Sequence, residues 1–438
     1  MSHQQPLSQW IETVSTAFPQ LSRPQAKVLA LWSYGMVLAK SCGITLVCAA
    51  LALQLGCSEA SLVQRLREWC YGAKDKKGEK RRELDVGTCF APLLRWILAW
   101  WPADHPRLAL ALDATTLSKR FTVLCISVVY RGCAIPVAWK VVGAEEKGSW
   151  QPHWLGLLKH RAGCVPEHWT VIVMSDRGLS APWLYAKIVE LCWHPFMRIN
   201  KQGNFRPHGE GIFRSLASAA LTQGSAWCGK VDCFSQETSR LQCTRLSRWD
   251  EGYTEVWLIV TDLAPEQATA VWDGMRSWIE GGFKDTKRGG WHWHQTTMTD
   301  PQRAERLWLA IAVATLWVVS VGGEVDANLP VSSLEDLPQT HIARRTATKR
   351  SRPRMRSCFA RGVLTILGTL IRGDGWVVGR FLAFAMAFNC SSSQKEEHQD
   401  QGSAGCLMKN LLVKAGRVPL KPRQWLRPWT PLSKNLYL

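Results

Sequence analysis

Nowhere does this sequence hold an unbroken apolar run of the roughly 18 to 20 residues that a membrane span needs. The two most apolar stretches, Ile44 to Leu55 and Trp308 to Gly323, stop short of that and read as buried helices, with no membrane as partner. The N-terminal residues, MSHQQPLSQW, lack the apolar centre of a secretory signal. No two cysteines are spaced C-x-x-C, and 15 of them in 438 residues are too sparse and too odd in number for a disulfide scaffold. They read as reduced thiols of a cytoplasmic protein. No segment repeats. Acidic residues are scarce beside basic ones, 35 Asp and Glu against 54 Lys and Arg, for a net charge of +19. A surplus of that size favours a polyanionic partner, because each neutralised phosphate releases condensed counterions.

At 438 residues the chain exceeds what one hydrophobic core usually fills. Residues 1–104 read as a helical N-terminal domain. Apolar residues recur at helical spacing from Arg23 to Lys40, and Ile44–Leu55 is followed by a break at Gly56-Cys57-Ser58. A further helix runs through Leu62, Leu66 and Trp69, capped by Ser58 or Ser61. Two helices joined by a short Gly-containing turn fit a DNA-binding helix-turn-helix and a packed helical hairpin equally. The charged run at 72–83 reads as a solvated loop.

From Arg107 the texture changes to that of an α/β unit. Leu108–Leu112 is a short apolar run ending at Asp113. Thr122–Tyr130 and Cys133–Val142 are strands split by a tight Arg131-Gly132 turn. A helix over Trp150–Arg161 follows, then a buried strand at Thr170–Met174 ending at Ser175-Asp176. A helix from Ala181 to Trp193 and a strand at Pro195–Ile199 complete the first part of the core, 105–200. Residues 201–262 carry short alternating runs with Gly and Ser turns and read as a β-rich insertion. Pro265 opens a helix expected to continue through Lys287, within a second core part at 263–330, and an apolar helix follows from Gln302 to Val321. The C-terminal region, 331–438, has a basic run from His341 to Arg361 and a polar linker at 391–405.

Asp113 and Asp176 each end an apolar strand, where a sheet meets solvent. A strand-end turn or helix cap explains either one alone; a pair on neighbouring strands suits a metal site. On the expected helix from Pro265, Arg276, Glu280 and Lys287 fall at 0°, 40° and 20° around the axis, so all three share one face. An ion-pair ladder does the same. Gly281 and Gly282 cost about 1 kcal/mol each inside a helix, which points to close packing of this helix on the sheet. Trp291-His292-Trp293-His294 makes a poor zinc motif, having no second pair of ligands nearby.

The segment MRSWIEGGFKDTKRGGWHW resembles the third-carboxylate region of DDE transposases of the insertion-sequence family four group, which carry Y-x(2)-R-x(3)-E-x(6)-K. Arg276, Glu280 and Lys287 match the last three members, and Asp273 stands at the Tyr position. LALALDATT and VIVMSDRGL resemble the two Asp segments of that family, and its insertion lies where this β-rich stretch does.

The resemblance implies a ribonuclease-H-like mixed sheet and catalytic carboxylates at Asp113, Asp176 and Glu280. Two Mg²⁺ ions, replaceable by Mn²⁺, would be held with Asp113 bridging both. Hard carboxylate oxygens suit such ions, which activate a water or 3′-hydroxyl and stabilise the leaving oxygen. The resemblance also implies DNA contacts from Arg276 and Lys287; Arg177, beside Asp176, is a further candidate, to touch DNA or to brace the carboxylate. Cut-and-paste excision by nick, hairpin and strand transfer would follow, on double-stranded DNA bearing terminal inverted repeats and on target DNA, in a homodimeric paired-end complex near the nucleoid. Trp227, Trp249 and Trp257 are candidates to stack on a flipped base, as well as core residues. A nuclease without strand transfer, or a non-catalytic DNA-binding descendant, would fit the same residues.

Overall fold

The computed structural model describes residues 5–76, 82–146, 148–159, 163–218, 222–234, 240–250, 254–328 and 356–382. Residues 77–81 of the charged run, the basic run up to 355 and the polar tract at 391–405 lie outside these.

Five helices come first: α1 (Gln5–Ala17), α2 (Arg23–Ala39), α3 (Ile44–Leu55), α4 (Glu59–Cys70) and α5 (Gly87–Ala99). The Gln25 side chain accepts from the Ser22 backbone N–H at 3.0 Å and fixes the start of α2. α3 stops at Gly56, whose φ of +60° is the left-handed turn that glycine tolerates. Ser58 stands at the N-cap of α4. Burial of α3 is only partial. Val47, Cys48 and Leu51 face inward, while Leu46 and Leu53 are 55% and 89% exposed. The reason is that α2 and α4 pack on one side of this helix.

The sheet begins with β1 (Arg107–Leu117), β2 (Phe121–Tyr130) and β3 (Cys133–Gly143). These run antiparallel, and the β2–β3 turn has positive φ at both Arg131 (47°) and Gly132 (79°). That geometry matches the twist of the strands it joins. Helix α6 (Gln151–Lys159) leads to β4 (Thr170–Ser175), and α7 (Pro182–Glu190) leads to β5 (His194–Arg198). β4 lies parallel to both β1 and β5. The order β3-β2-β1-β4-β5 is the mixed α/β sheet expected of a ribonuclease-H-like core.

The strands of 201–262 are β6 (Asn204–Pro207), β7 (Arg214–Ser215), β8 (Ser225–Cys233), β9 (Leu241–Trp249) and β10 (Trp257–Thr261). They extend the same sheet. β10 pairs antiparallel with β5, giving ten strands in the order β3-β2-β1-β4-β5-β10-β9-β8-β6-β7. The Ile199 N–H donating to the Leu258 carbonyl at 2.9 Å carries the pairing past the end of β5.

The long helix expected from Pro265 is broken into pieces. Pro265–Gln267 is an isolated 3₁₀ turn, and Ala270–Ser277 is a second 3₁₀ segment. Only α8 (Trp278–Lys284) is regular, and Asp285–Gly289 forms a wide π turn. Ala268 and Thr269 are extended, which separates the first turn from the rest. Lys287 has φ −89° and ψ −105°, outside the helical region. A uniform 100° per residue therefore does not apply from Arg276 to Lys287.

α9 (Pro301–Ala327) runs longer than expected. By length and composition it could cross a membrane, yet 89% of its most apolar window is buried inside the protein. It packs against α2, β3 and α10 (Cys358–Arg372). Glycines set the α9–α10 approach. A Cβ on Gly362 would lie 1.7 Å from the Val318 carbonyl oxygen, and one on Gly322 would lie 1.8 Å from that of Cys358.

Candidate active site

β1 and β4 pair in parallel register, Leu112 opposite Ser175. Asp113 and Asp176 are the next residues on each chain, so both stand where the β1–β4 ladder ends, although β1 itself, expected to end at Asp113, runs on to Leu117 paired with β2. Local bonds orient both carboxylates. Asp113 Oδ1 accepts from the Ala114 N–H at 2.7 Å, and Asp176 Oδ1 accepts from the Leu179 N–H at 3.0 Å across the Arg177-Gly178 turn.

Glu280 approaches from α8, which lies across β3 and touches β1 and β2. The glycines expected to permit close packing do so. A Cβ on Gly282 would sit 2.8 Å from Ala134 Cβ, and one on Gly281 would sit 3.2 Å from the Gly132 carbonyl oxygen. Larger side chains would lift α8, and Glu280 with it, off the sheet.

The electrostatics of Asp113 register this convergence. Its carboxyl is pushed up to about 6, chiefly by burial and further by the charges of Asp176 and Glu280, against the Ala114 N–H and Arg276. Opposite Asp113 on β2 is Cys125, whose thiol burial pushes up to about 12, with the charge of Asp113 adding to the rise. Three acids with one nearby arginine leave a surplus of negative charge of the kind that a hard cation relieves.

Among the described residues no group of three His, Cys, Asp or Glu side chains is close enough to hold one metal ion between them. Hard carboxylate oxygens are the donor chemistry that a divalent cation such as Mg²⁺ would take, and Asp113, Asp176 and Glu280 are the residues that would offer them.

The basic candidates lie around the acids, but not as open phosphate forks. Arg276 is buried, and its Nη1 lies 3.8 Å from Glu280 Oε1. As folded it faces carboxylates. Lys287 reaches β1, donating to Thr115 Oγ1 at 2.7 Å and to the Thr116 carbonyl at 2.6 Å. Burial, then the charge of Arg288, lowers its ammonium below the usual lysine range. Arg177 pairs with Glu255, whose carboxyl is lowered first by that hydrogen bond and then by the arginine's charge. This pair ties the Asp176 turn to the segment just before β10.

Asp273, at the Tyr position of the signature, is fully buried and 3.1 Å from Arg198 on β5. Burial pushes the Asp273 carboxyl up and the Arg198 guanidinium down, and the opposite charge opposes both shifts. The tryptophans considered for base stacking have internal partners too. Arg198 lies over the ring of Trp257 at 4.9 Å, and Arg245 lies 3.8 Å from the Phe205 ring and 4.2 Å from that of Trp227. Trp249 is half-buried. His292 and His294 have ring centroids 5.7 Å apart and belong to no metal-binding group of three among the described residues. Every cysteine among the described residues is free.

Sequence reasoning did not single out Thr115, Arg198 or Glu255. For Thr115 a signal existed, since two residues along a strand from Asp113 is the same face. Nothing in the sequence pairs Arg198 with Asp273 or Arg177 with Glu255.

No protein-family model matches the chain, and no curated protein matches it. Among solved structures, the chain is similar to a cryo-EM structure of a piggyBac transposase synaptic complex with hairpin DNA. The TM-score is 0.32 and the identity 8%, over 71% of this chain and 73% of that one. A likeness at that level establishes neither family nor activity.

Proposed function

We propose that this chain is a DDE-type DNA transposase, cutting and joining phosphodiester bonds with Asp113, Asp176 and Glu280. What supports the reading is the placement of two carboxylates at one end of the parallel pair β1–β4, with Glu280 close enough to raise the carboxyl of Asp113.

In this reading Asp113, Asp176 and Glu280 would hold Mg²⁺, which when bound would supply an activated water or 3′-hydroxyl and neutralise the leaving oxygen. The protein's own groups do the rest. The Asp176-Arg177-Gly178 turn aims one carboxylate, and α8 seated on Ala134 aims the third. Arg276 is the counter-charge that holds Glu280 in place, a role that its burial favours over direct phosphate contact. Lys287, beside Thr115, stands where a phosphate flanking the scissile bond would meet its ammonium as a point charge. The net charge of +19 supplies attraction for double-stranded DNA at long range. Strand transfer, recognition of terminal repeats and pairing of two ends by a homodimer belong to the same proposal.

The test is to incubate the full-length protein and Mg²⁺ with DNA ends that flank its own gene. The expected products are nicked ends exposing 3′-hydroxyls, then hairpins, then joined strands, all lost in Asp113→Ala, Asp176→Ala and Glu280→Ala. Nicks without hairpins or joints would replace the transposase reading with that of a nuclease. Bound but uncut DNA would make the chain a binding protein.

A further inference from the structure

The charged run at 72–83 holds six Lys or Arg against three acids, and both of its ends are tied to α9. Where the run begins, the Arg303 guanidinium lies over the Tyr71 ring at 4.6 Å and 3.3 Å from Asp75 Oδ2. The buried Arg306 joins the two ends. It donates to the Cys70 carbonyl at 2.6 Å and to the Leu84 carbonyl at 3.3 Å, and it pairs with Glu83. The ends are also bonded to each other, Lys76 Nζ donating to the Arg82 carbonyl at 2.6 Å. Asp75 and Glu83 thus turn their charge to arginines of α9, while Lys74 and Arg82 stand exposed.

The same part of α9 is linked to the strand that carries Asp113. β1 runs on from Asp113 for four residues to Leu117, about 13 Å at the rise of a strand. In the turn beyond it Lys119 is exposed, and Arg120 Nη1 donates to the Thr296 carbonyl at 2.5 Å and the Met298 carbonyl at 3.0 Å. Asp300, two residues on, caps α9 by accepting from the Arg303 N–H at 2.8 Å. A line of bonds therefore leads from the Asp113 strand to the arginine that pins the loop. A span of about 13 Å is roughly four phosphates along one strand of a duplex.

We propose that the 72–83 loop is a second hold on duplex DNA, contacting backbone phosphates at least about four nucleotides from the bond that is cut. The proposal rests on the reading of Asp113, Asp176 and Glu280 as the cutting site. A lysine-rich loop already fastened at both ends loses less freedom on meeting phosphates than a free one does.

Binding of the full-length protein to the DNA ends that flank its own gene tests this, with Lys74→Gln and Arg82→Gln combined. Both side chains are exposed, so thermal melting should be unchanged. Affinity at about 0.1 M salt should fall about tenfold. The slope of log affinity against log salt should fall by about two units, for two lost phosphate contacts. Phosphate-ethylation interference should lose a cluster at least about four nucleotides from the cut and keep the phosphates at the cut itself. A duplex trimmed short of that cluster should bind variant and unsubstituted protein alike. Lys74→Gln alone carries the test if the double variant does not fold, with about half the change in slope. Equal affinity, slope and interference pattern in both proteins, with cleavage intact, would overturn the loop contact and leave the cutting site standing. If the unsubstituted protein neither binds nor cuts these ends, the reading beneath the proposal fails with it.

Discussion

The Lys287 ammonium is bound to Thr115, two residues beyond Asp113 on the same face of β1. The lysine gets there by leaving helical geometry, with the π turn of 285–289 directing it back over the strand end. A regular helix would have spent the same residues on further turns. The chain thus holds one half-buried cation beside the strand that carries Asp113.

Lys287→Ala should leave Mn²⁺ binding nearly unchanged, since the lysine bonds to a hydroxyl and a carbonyl and to none of the three acids. DNA binding should weaken, with the salt dependence of log affinity falling by about one unit of slope for the lost phosphate contact. Filter binding at several salt concentrations measures the slope. Loss of Mn²⁺ binding in this variant would contradict the role given to Lys287.

Asp113→Asn should stabilise the metal-free protein, and only above a defined pH. The folded carboxyl lies at about 6 against an ordinary 3.8, so the folded state binds the proton more tightly and loses stability as pH rises through that window. The amide escapes this loss. Its advantage should reach about 3 kcal/mol at pH 7.5 and vanish below about pH 4. Melting curves at both pH values decide the matter, and an equal gain at pH 4 would refute the account.

Gly282→Val should cost about 1 to 3 kcal/mol by overpacking against Ala134. Because α8 carries Glu280, DNA cleavage should fall by more than the loss of folded protein explains. Activity per folded molecule, with folding followed by circular dichroism, separates the two effects.

Gly362→Ala should be harsher, at least about 3 kcal/mol, because the added methyl meets main chain at 1.7 Å and no rotamer change relieves it. Detachment of α10 exposes Phe359 and Val363, so binding of a hydrophobic dye should rise. An unchanged melting temperature would mean that the two helices are not packed as described.

The strands that carry the acids were legible in the sequence as short apolar runs before an Asp, as buried parallel strands are written, but not that β1 runs on past Asp113 to Leu117 as the partner of β2. The Arg131-Gly132 turn and the close-packing glycines at 281 and 282 were legible as well, since a missing side chain is itself a packing instruction. The break-up of the 265–289 helix was not. The Pro-initiated helical pattern gave no sign that Ala268 and Thr269 stay extended. The joining of the 201–262 strands to β5 was hidden too, because pairing partners far apart in sequence leave no periodic trace. Asp273 shows the limit most clearly. Position alone marked it as a departure from a signature, and only the fold shows it buried beside Arg198.

The shared sheet has a consequence for how a large substrate would be gripped. Strands from β3 to β7 form one hydrogen-bonded ladder, and β10 joins at β5, next to the strand that delivers Asp176. Bending the outer half away from the acids would mean tearing backbone bonds, so the two halves tilt together or not at all. A duplex bound as proposed, and laid along both halves, would meet a single continuous surface and not two that move apart.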